Sequence, residues 1–336
     1  MTKVLPVTNL FRYATGELSQ DAFICWLVAH ATEEAWDEDP LLRGCAVDFL
    51  SAILASRQIA WTDTTRVTSI QRQYKKIDIL IRVGSAVIIV EDKIFTGTHD
   101  DQLNRYRETL LEEGWAETEI ILVYYKIEDQ PVSEKGVDYE FTRERLLQIF
   151  RKFPSCKNPI FRDYVARLEQ MEAVSRSWSV TPIADWNGEM YIGFFKNLCQ
   201  TFLKDENSSW GYVPNPTGGF MGLWWFGILQ DSDYERMGLD INEVEDLYIQ
   251  IENDIITVKY SAPPDSDGDI VRQIRWTIYS YFHEKLGESF KKKTFRPGRY
   301  MTIGYIEYNE KNYLKKLLLL RDTLRKMSKE VDEFYD

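Results

Sequence analysis

Histidine and cysteine are scarce in this chain, at 3 and 4 of 336 residues. Cys25, Cys45, Cys156 and Cys199 lie far apart without a CxxC pair, and His30, His99 and His283 are as scattered, so a zinc site has little to draw on. Such thiols read instead as small buried groups in a reducing compartment. Long apolar runs are missing too. No stretch approaches the roughly 18 to 20 residues that span a bilayer, and the opening MTKVLPVTNLF lacks the apolar core of a secretory signal. The expectation is a cytoplasmic protein with no membrane partner. Positive charge is also short: 41 Lys and Arg against 53 Asp and Glu leave a net charge of −12. That excludes a nonspecific DNA coat, which needs clustered cations over phosphates. Any nucleic-acid contact must come from local basic patches or from metal ions.

What is present is ordinary globular composition, 44% hydrophobic and 14% aromatic, with no case for disorder. The length exceeds the usual single compact domain. ELSQDAFICWLVAHATEEAW carries apolar residues at helical spacing (Ala22, Phe23, Trp26, Leu27, Ala31), with Ser19 as candidate N-cap and Asp21 in the first turn. A second helix is expected over Leu41 to Ser56. The period then changes: KKIDILIRVGSAVIIVEDKI holds two β-branched runs separated by Gly84-Ser85, a hairpin pattern. Asp100 or Asp101 can cap a following helix, QLNRYRETLLEE, which Gly114 closes. EIILVYY reads as a buried strand, and FTRERLLQIFRKF and IFRDYVARLEQMEAV as helices. A helix between neighbouring strands favours an α/β core.

Helical periodicity gives way to Ser, Thr and Pro in SRSWSVTPIADW, which places a domain boundary near residue 177. Beyond it come a helix around Tyr191 to Leu203, aromatic-rich strands (GFMGLWWFGIL, DLYIQIENDIITVKY, YMTIGYIEY), a helix near Ile270 to Leu286 and a last helix from Lys311. Residues 1–177 thus read as an α/β domain and 178–336 as an α+β domain.

Chemistry concentrates in the hairpin. With Gly84-Ser85 as a two-residue turn, Val83 pairs with Ala86. Each further pair steps one residue along both strands, which brings Asp78 opposite Glu91 on one face, Cβ atoms about 4.5 to 5.5 Å apart. Facing carboxylates repel, so one must take up a proton or both must share a cation. Mg²⁺ prefers oxygen ligands and keeps several waters, which suits two carboxylates plus phosphate oxygens. Lys93 returns to the same face two residues after Glu91 and can orient a water and offset charge on phosphorus. Asp92 points to the other face, leaving its backbone carbonyl as a further ligand.

IDILI followed by VIIVEDK resembles the D…(D/E)xK signature of the PD-(D/E)XK nucleases, with Asp78, Glu91 and Lys93 at the signature positions and Ile77 in place of the proline for which the family is named. The resemblance covers roughly residues 10 to 130. It implies a restriction-endonuclease-like mixed sheet flanked by helices, Mg²⁺ or Mn²⁺ as cofactor, and phosphodiester hydrolysis, with DNA as the expected partner and defence against foreign DNA as the setting. Gln102 and Tyr106 resemble the QxxxY element of RecB-type members, where such side chains help place substrate. Glu17 matches the first-helix glutamate that often reaches the metal. A catalytically idle nucleic-acid-binding or protein-interaction module on the same fold stays open as the alternative, and a homodimer as an oligomeric state.

Elsewhere, SFKKKTFRPGRY gathers Lys291, Lys292, Lys293, Arg296 and Arg299 between aromatics, while Arg72, Lys75 and Lys76 lead into the first catalytic strand. Both segments are candidate phosphate contacts whose bland counterpart is a solvated face. His99 is read as a loop residue, and Trp224 and Trp225 as facing opposite ways, more core than platform.

Overall fold

The structure is a computed structural model that describes residues 5–93, 102–131, 135–215, 218–239, 242–294 and 298–330. The chain divides into two compact units, Met1–Ala173 and Val174–Asp336. No helix among the described residues is long and apolar enough to cross a membrane. None of the four cysteines forms a disulfide.

The first unit runs α1 (Glu17–Ala29), α2 (Pro40–Leu54), β1 (Val67–Tyr74), β2 (Ile77–Val83), β3 (Ala86–Lys93), α3 (Gln102–Glu112), β4 (Ile120–Lys126), β5 (Tyr139–Thr142), α4 (Arg143–Phe150) and α5 (Pro159–Arg176). Its sheet has the order β1-β2-β3-β4-β5, antiparallel from β1 to β3 and parallel from β3 to β5. β3 and β4 are buried on both faces, which explains their unbroken apolar runs. One face packs Ile79, Ile81, Ile88 and Val90 against residues of α1, α2, α4 and α5; the other packs Leu80, Val87 and Ile89 against Leu103, Tyr106 and Leu110 of α3.

Several local expectations need correcting. Gly16, not Ser19, is the N-cap of α1; the Ser19 amide already donates to the Gly16 carbonyl inside the helix. The helix ends at Ala29 instead of running on towards Trp36, because Thr32 bonds back to the Ala29 carbonyl and forms a bridge with Val67. Ile77 belongs to the cluster on the α3 side, although Ile79 and Ile81, two and four residues on, pack on the other face. It follows a tight turn at Lys75-Lys76 in which both residues have positive φ, 48° and 74°, and Gln73, inside β1 two residues before the turn, has φ 54°. A type I′ turn normally asks for Asn and Gly. Two lysines there gave no local mark for β1, which the sequence reading did not separate from its surroundings. The caps at Asp100 and Asp101 lie outside the described residues.

The Gly84-Ser85 hairpin has the expected register, from Val83↔Ala86 to Ile79↔Val90. Gly84 adopts φ +55°, the left-handed region that this turn requires.

The second unit consists of α6 (Gly188–Gln200), β6 (Ser208–Asn215), β7 (Gly218–Trp225), α7 (Asp231–Arg236), β8 (Asp246–Glu252), β9 (Ile255–Ser261), α8 (Gly268–Leu286), β10 (Lys291–Lys292), β11 (Tyr300–Glu307) and α9 (Tyr313–Glu330). Its sheet is antiparallel throughout, ordered β10-β11-β9-β8-β7-β6. Trp225 is fully buried in the core of this unit and its indole N–H donates to Glu206, whereas Trp224 is half-buried on the other face beside Gly211.

Candidate active site

At the ends of β2 and β3 the two strands carry ionisable side chains where the core pattern would call for apolar ones. Glu91 is 0% exposed. Its Oε1 lies 2.6 Å from Nζ of Lys93, and it accepts a second hydrogen bond, of 2.9 Å, from Nε2 of Gln102 on α3. Its other oxygen, Oε2, is buried with no hydrogen-bond partner among the described residues. Asp78 stands one step beyond the last paired residues of the hairpin. Its Oδ2 accepts the backbone N–H of Asp92 at 3.1 Å and its Oδ1 the side-chain amide of Gln73 at 3.2 Å.

Burial, partly opposed by the hydrogen bond from Lys93 and reinforced by the charge of Asp78, pushes Glu91 up to about 7. For Lys93, burial works against the charged form, but the hydrogen bond and charge of Glu91, with Asp78 and Glu17 behind them, outweigh it and raise its pKa. The ammonium therefore stays protonated across the neutral range.

Gln102 and Tyr106 meet on one face of α3. Gln102 Nε2 also reaches the Tyr106 hydroxyl at 2.6 Å, and that hydroxyl donates to the Lys76 carbonyl at 2.6 Å. The pair thus ties the Lys75-Lys76 turn to the carboxylate of Glu91. Burial raises the Tyr106 pKa, so its hydroxyl keeps its proton as a donor.

A second acidic group sits on the opposite face of the sheet, under α1: alternation along β3 placed Asp92 there, but nothing local brought Asp21 and Gln20 to it. Asp92 is 0% exposed and accepts a short hydrogen bond from Gln20; Tyr164 donates to Gln20 at 3.2 Å, and its hydroxyl lies 2.8 Å from that of Tyr125. Asp21, buried beside it, has its Oδ2 3.8 Å from Nη2 of Arg72. Burial, with the charge of Asp78 added, raises Asp21 to about 6 against the pull of Arg72; burial drives Asp92 well above its ordinary range despite the hydrogen bond from Gln20. Asp21 Oδ1 and Asp92 Oδ2 are buried with no hydrogen-bond partner among the described residues. The available sequence signal was the i, i+4 spacing that sets Asp21 one turn after Glu17 on α1. Glu17 is the first residue of that helix, half-buried, and its charge acts on Asp21, Asp92 and Lys93.

The outlying basic candidates are mostly engaged by acids. Lys75 pairs with Glu113 at 2.6 Å, and Arg72 reaches Asp21 and the Leu18 carbonyl. In the second unit Lys291 pairs with Glu307, Lys293 with Glu252 and Arg299 with Glu245, at 2.6, 2.9 and 2.7 Å. His99 and Arg296 lie outside the described residues.

Among the described residues, no three His, Cys, Asp or Glu side chains converge as a ready-made metal cage. The acids meet in pairs. Asp78 beside Glu91, with Oε2 of Glu91 buried and unsatisfied, still offers the hard oxygen donors that a divalent cation keeping its own waters accepts.

A family model of the PD-(D/E)XK nuclease superfamily matches residues 9–178, half the chain and every element from α1 to α5. No curated protein and no solved structure gives a match.

Proposed function

The chain belongs to the PD-(D/E)XK nuclease superfamily, and we propose on that footing that it hydrolyses phosphodiester bonds in DNA, with Asp78, Glu91 and Lys93 as its catalytic residues. One observation carries the assignment to these three. A fully buried glutamate shares one oxygen between an ammonium and an amide, while its other oxygen is buried with no hydrogen-bond partner among the described residues and the charge of Asp78 acts on it. A buried acid with an open oxygen, paired with an ammonium and facing a second carboxylate, is costly to hold, and a cation shared with Asp78 would relieve it.

Asp78 and Glu91 would hold Mg²⁺ or Mn²⁺, with Glu17 and the Asp92 carbonyl as further oxygens. When bound, such a cation polarises the phosphate and makes water nucleophilic near neutral pH. The chain's own groups set the geometry. Gln102 fixes the rotamer of Glu91, and Tyr106 anchors Gln102 to the turn that begins β2. Lys93, held protonated, orients the attacking water and offsets the charge that develops on the phosphoryl oxygens. Defence against foreign DNA is the proposed setting, a cytoplasmic location and a homodimer go with it, and the second unit would supply target recognition or protein contacts.

The test is a cleavage panel of single-stranded, double-stranded and nicked DNA, and RNA, with Mg²⁺ and with Mn²⁺. Wild type cleaves DNA, and Asp78→Asn loses about 100-fold or more while melting like wild type. Cleavage of RNA alone would overturn the substrate, and an undiminished Asp78→Asn would overturn the site.

A further inference from the structure

Gln73 lies inside β1, yet its φ of 54° belongs to the left-handed region. Antiparallel strands keep φ near about −140°, and outside glycine, asparagine and aspartate the left-handed region is a strained place for a residue. The register that pairs Arg72 with Ile79 and Tyr74 with Ile77 sets Gln73 opposite Asp78. The segment after it is held by contacts from α3 and the residue just beyond. The Tyr106 hydroxyl donates to the Lys76 carbonyl, and Glu113 takes the Tyr74 hydroxyl at 2.7 Å and the Lys75 ammonium at 2.6 Å. None of these contacts uses the side chain of Gln73. That exposed side chain makes one hydrogen bond among the described residues, from Nε2 to Oδ1 of Asp78 at 3.2 Å. Backbone strain of this kind persists only where the surroundings impose it, and it gathers at functional sites.

Two donors thus fix the Asp78 carboxylate, the Asp92 N–H on Oδ2 and the Gln73 amide on Oδ1. Donors on both oxygens stop the group from rotating about its last bond. Each oxygen can accept more than one bond, so both keep room for a cation. The donor at Gln73 is also neutral. A lysine or arginine there would cancel the negative charge that a divalent ion needs. Groups that orient a metal-binding carboxylate set metal affinity without touching the metal.

We propose that Gln73 is a positioning residue, whose left-handed backbone aims its amide at Asp78 and holds that carboxylate in the orientation that receives the divalent cation. This rests on the reading of Asp78 and Glu91 as metal ligands.

Calorimetric titration of the full chain with Mn²⁺, in the absence of DNA, tests it. Gln73→Met removes the amide and keeps both the strained backbone and a side chain of similar length. Gln73→Gly removes the amide and relieves the strain. Both variants are expected to bind Mn²⁺ about tenfold more weakly than wild type, with Gln73→Gly melting no lower than wild type in EDTA. With DNA added, cleavage by both falls at limiting Mn²⁺ and recovers when the metal is raised about tenfold. Unchanged Mn²⁺ affinity in either variant overturns the proposal, since both lack the amide, and so does a wild type that takes up no Mn²⁺. A loss of affinity accompanied in both variants by a lowered melting temperature would make Gln73 a structural residue and overturn it as well. Wild type that binds Mn²⁺ and leaves DNA uncut would end the nuclease reading alone, so the two failures are distinct.

Discussion

Nζ of Lys93 lies 2.6 Å from Oε1 of Glu91, a carboxylate with no exposed surface, while Oε2 of the same group has no partner among the described residues. The lysine compensates half of a charge that burial opposes. Burial of this carboxylate is costly, and Lys93, Gln102 and Asp78 set how much of that cost is relieved.

Glu91 titrates near 7 in the folded chain, raised chiefly by burial, against its ordinary 4.5. A carboxyl raised on folding contributes its full share of stability below 4.5, and that share is lost as pH rises through about 7. In EDTA the unfolding free energy should thus fall between pH 5 and pH 8, by an amount on the order of 2 to 3 kcal/mol for this group, and the melting temperature with it. Glu91→Gln should flatten the fall, and Mg²⁺ should restore stability at pH 8. Differential scanning calorimetry across that range checks it; a pH response identical in Glu91→Gln and wild type would remove Glu91 as its source.

Lys93→Ala deletes the hydrogen bond that lowers the Glu91 pKa, so that pKa should climb further. Cleavage should drop about 100-fold or more, and the metal-free melting temperature at pH 8 should fall relative to pH 5 more steeply than in wild type. Rates together with melting curves at both pH values separate a chemical role from mere structural support, which would lower both curves equally.

Tyr106→Phe removes the hydroxyl between Gln102 and the Lys76 carbonyl and leaves the ring in place. The expected cost is about 1 kcal/mol of stability. Cleavage should slow about tenfold through kcat, because Gln102 loses the anchor that holds it on Glu91. Steady-state kinetics decides the matter, since a change in KM alone would place Tyr106 outside the positioning of Glu91.

Asp92 faces away from Glu91 and is pushed well above its ordinary range by burial. Asp92→Asn should keep the hydrogen bond with Gln20 by an amide flip and should leave stability unchanged or improved. Asp92→Ala strands Gln20 in a buried site and should cost about 1 to 3 kcal/mol. Urea denaturation of both variants tests the pair; equal losses would mean that the charge, not the hydrogen bond, holds this cluster.

The sequence by itself determined the Gly84-Ser85 hairpin, because the turn residues and the two-residue alternation are local and leave one register. From that register came the placement of Asp78 and Glu91 at the strand ends, Lys93 on the face of Glu91 and Asp92 on the reverse, and the i, i+4 spacing put Gln102 next to Tyr106. Only the tertiary structure decided what those groups touch. Gln20 meets Asp92 because α1 packs across the sheet, and Ile77 goes to the α3 side because two lysines adopt the left-handed turn that ends β1. Charge pairing was equally hidden. Lys291, Lys293 and Arg299 read as a free basic run until β8 and β11 and the turn before β8 brought Glu252, Glu307 and Glu245 to them. Periodicity and turn chemistry act over a few residues and can be read along the chain; partners dozens of residues apart are chosen by packing, which no local pattern encodes.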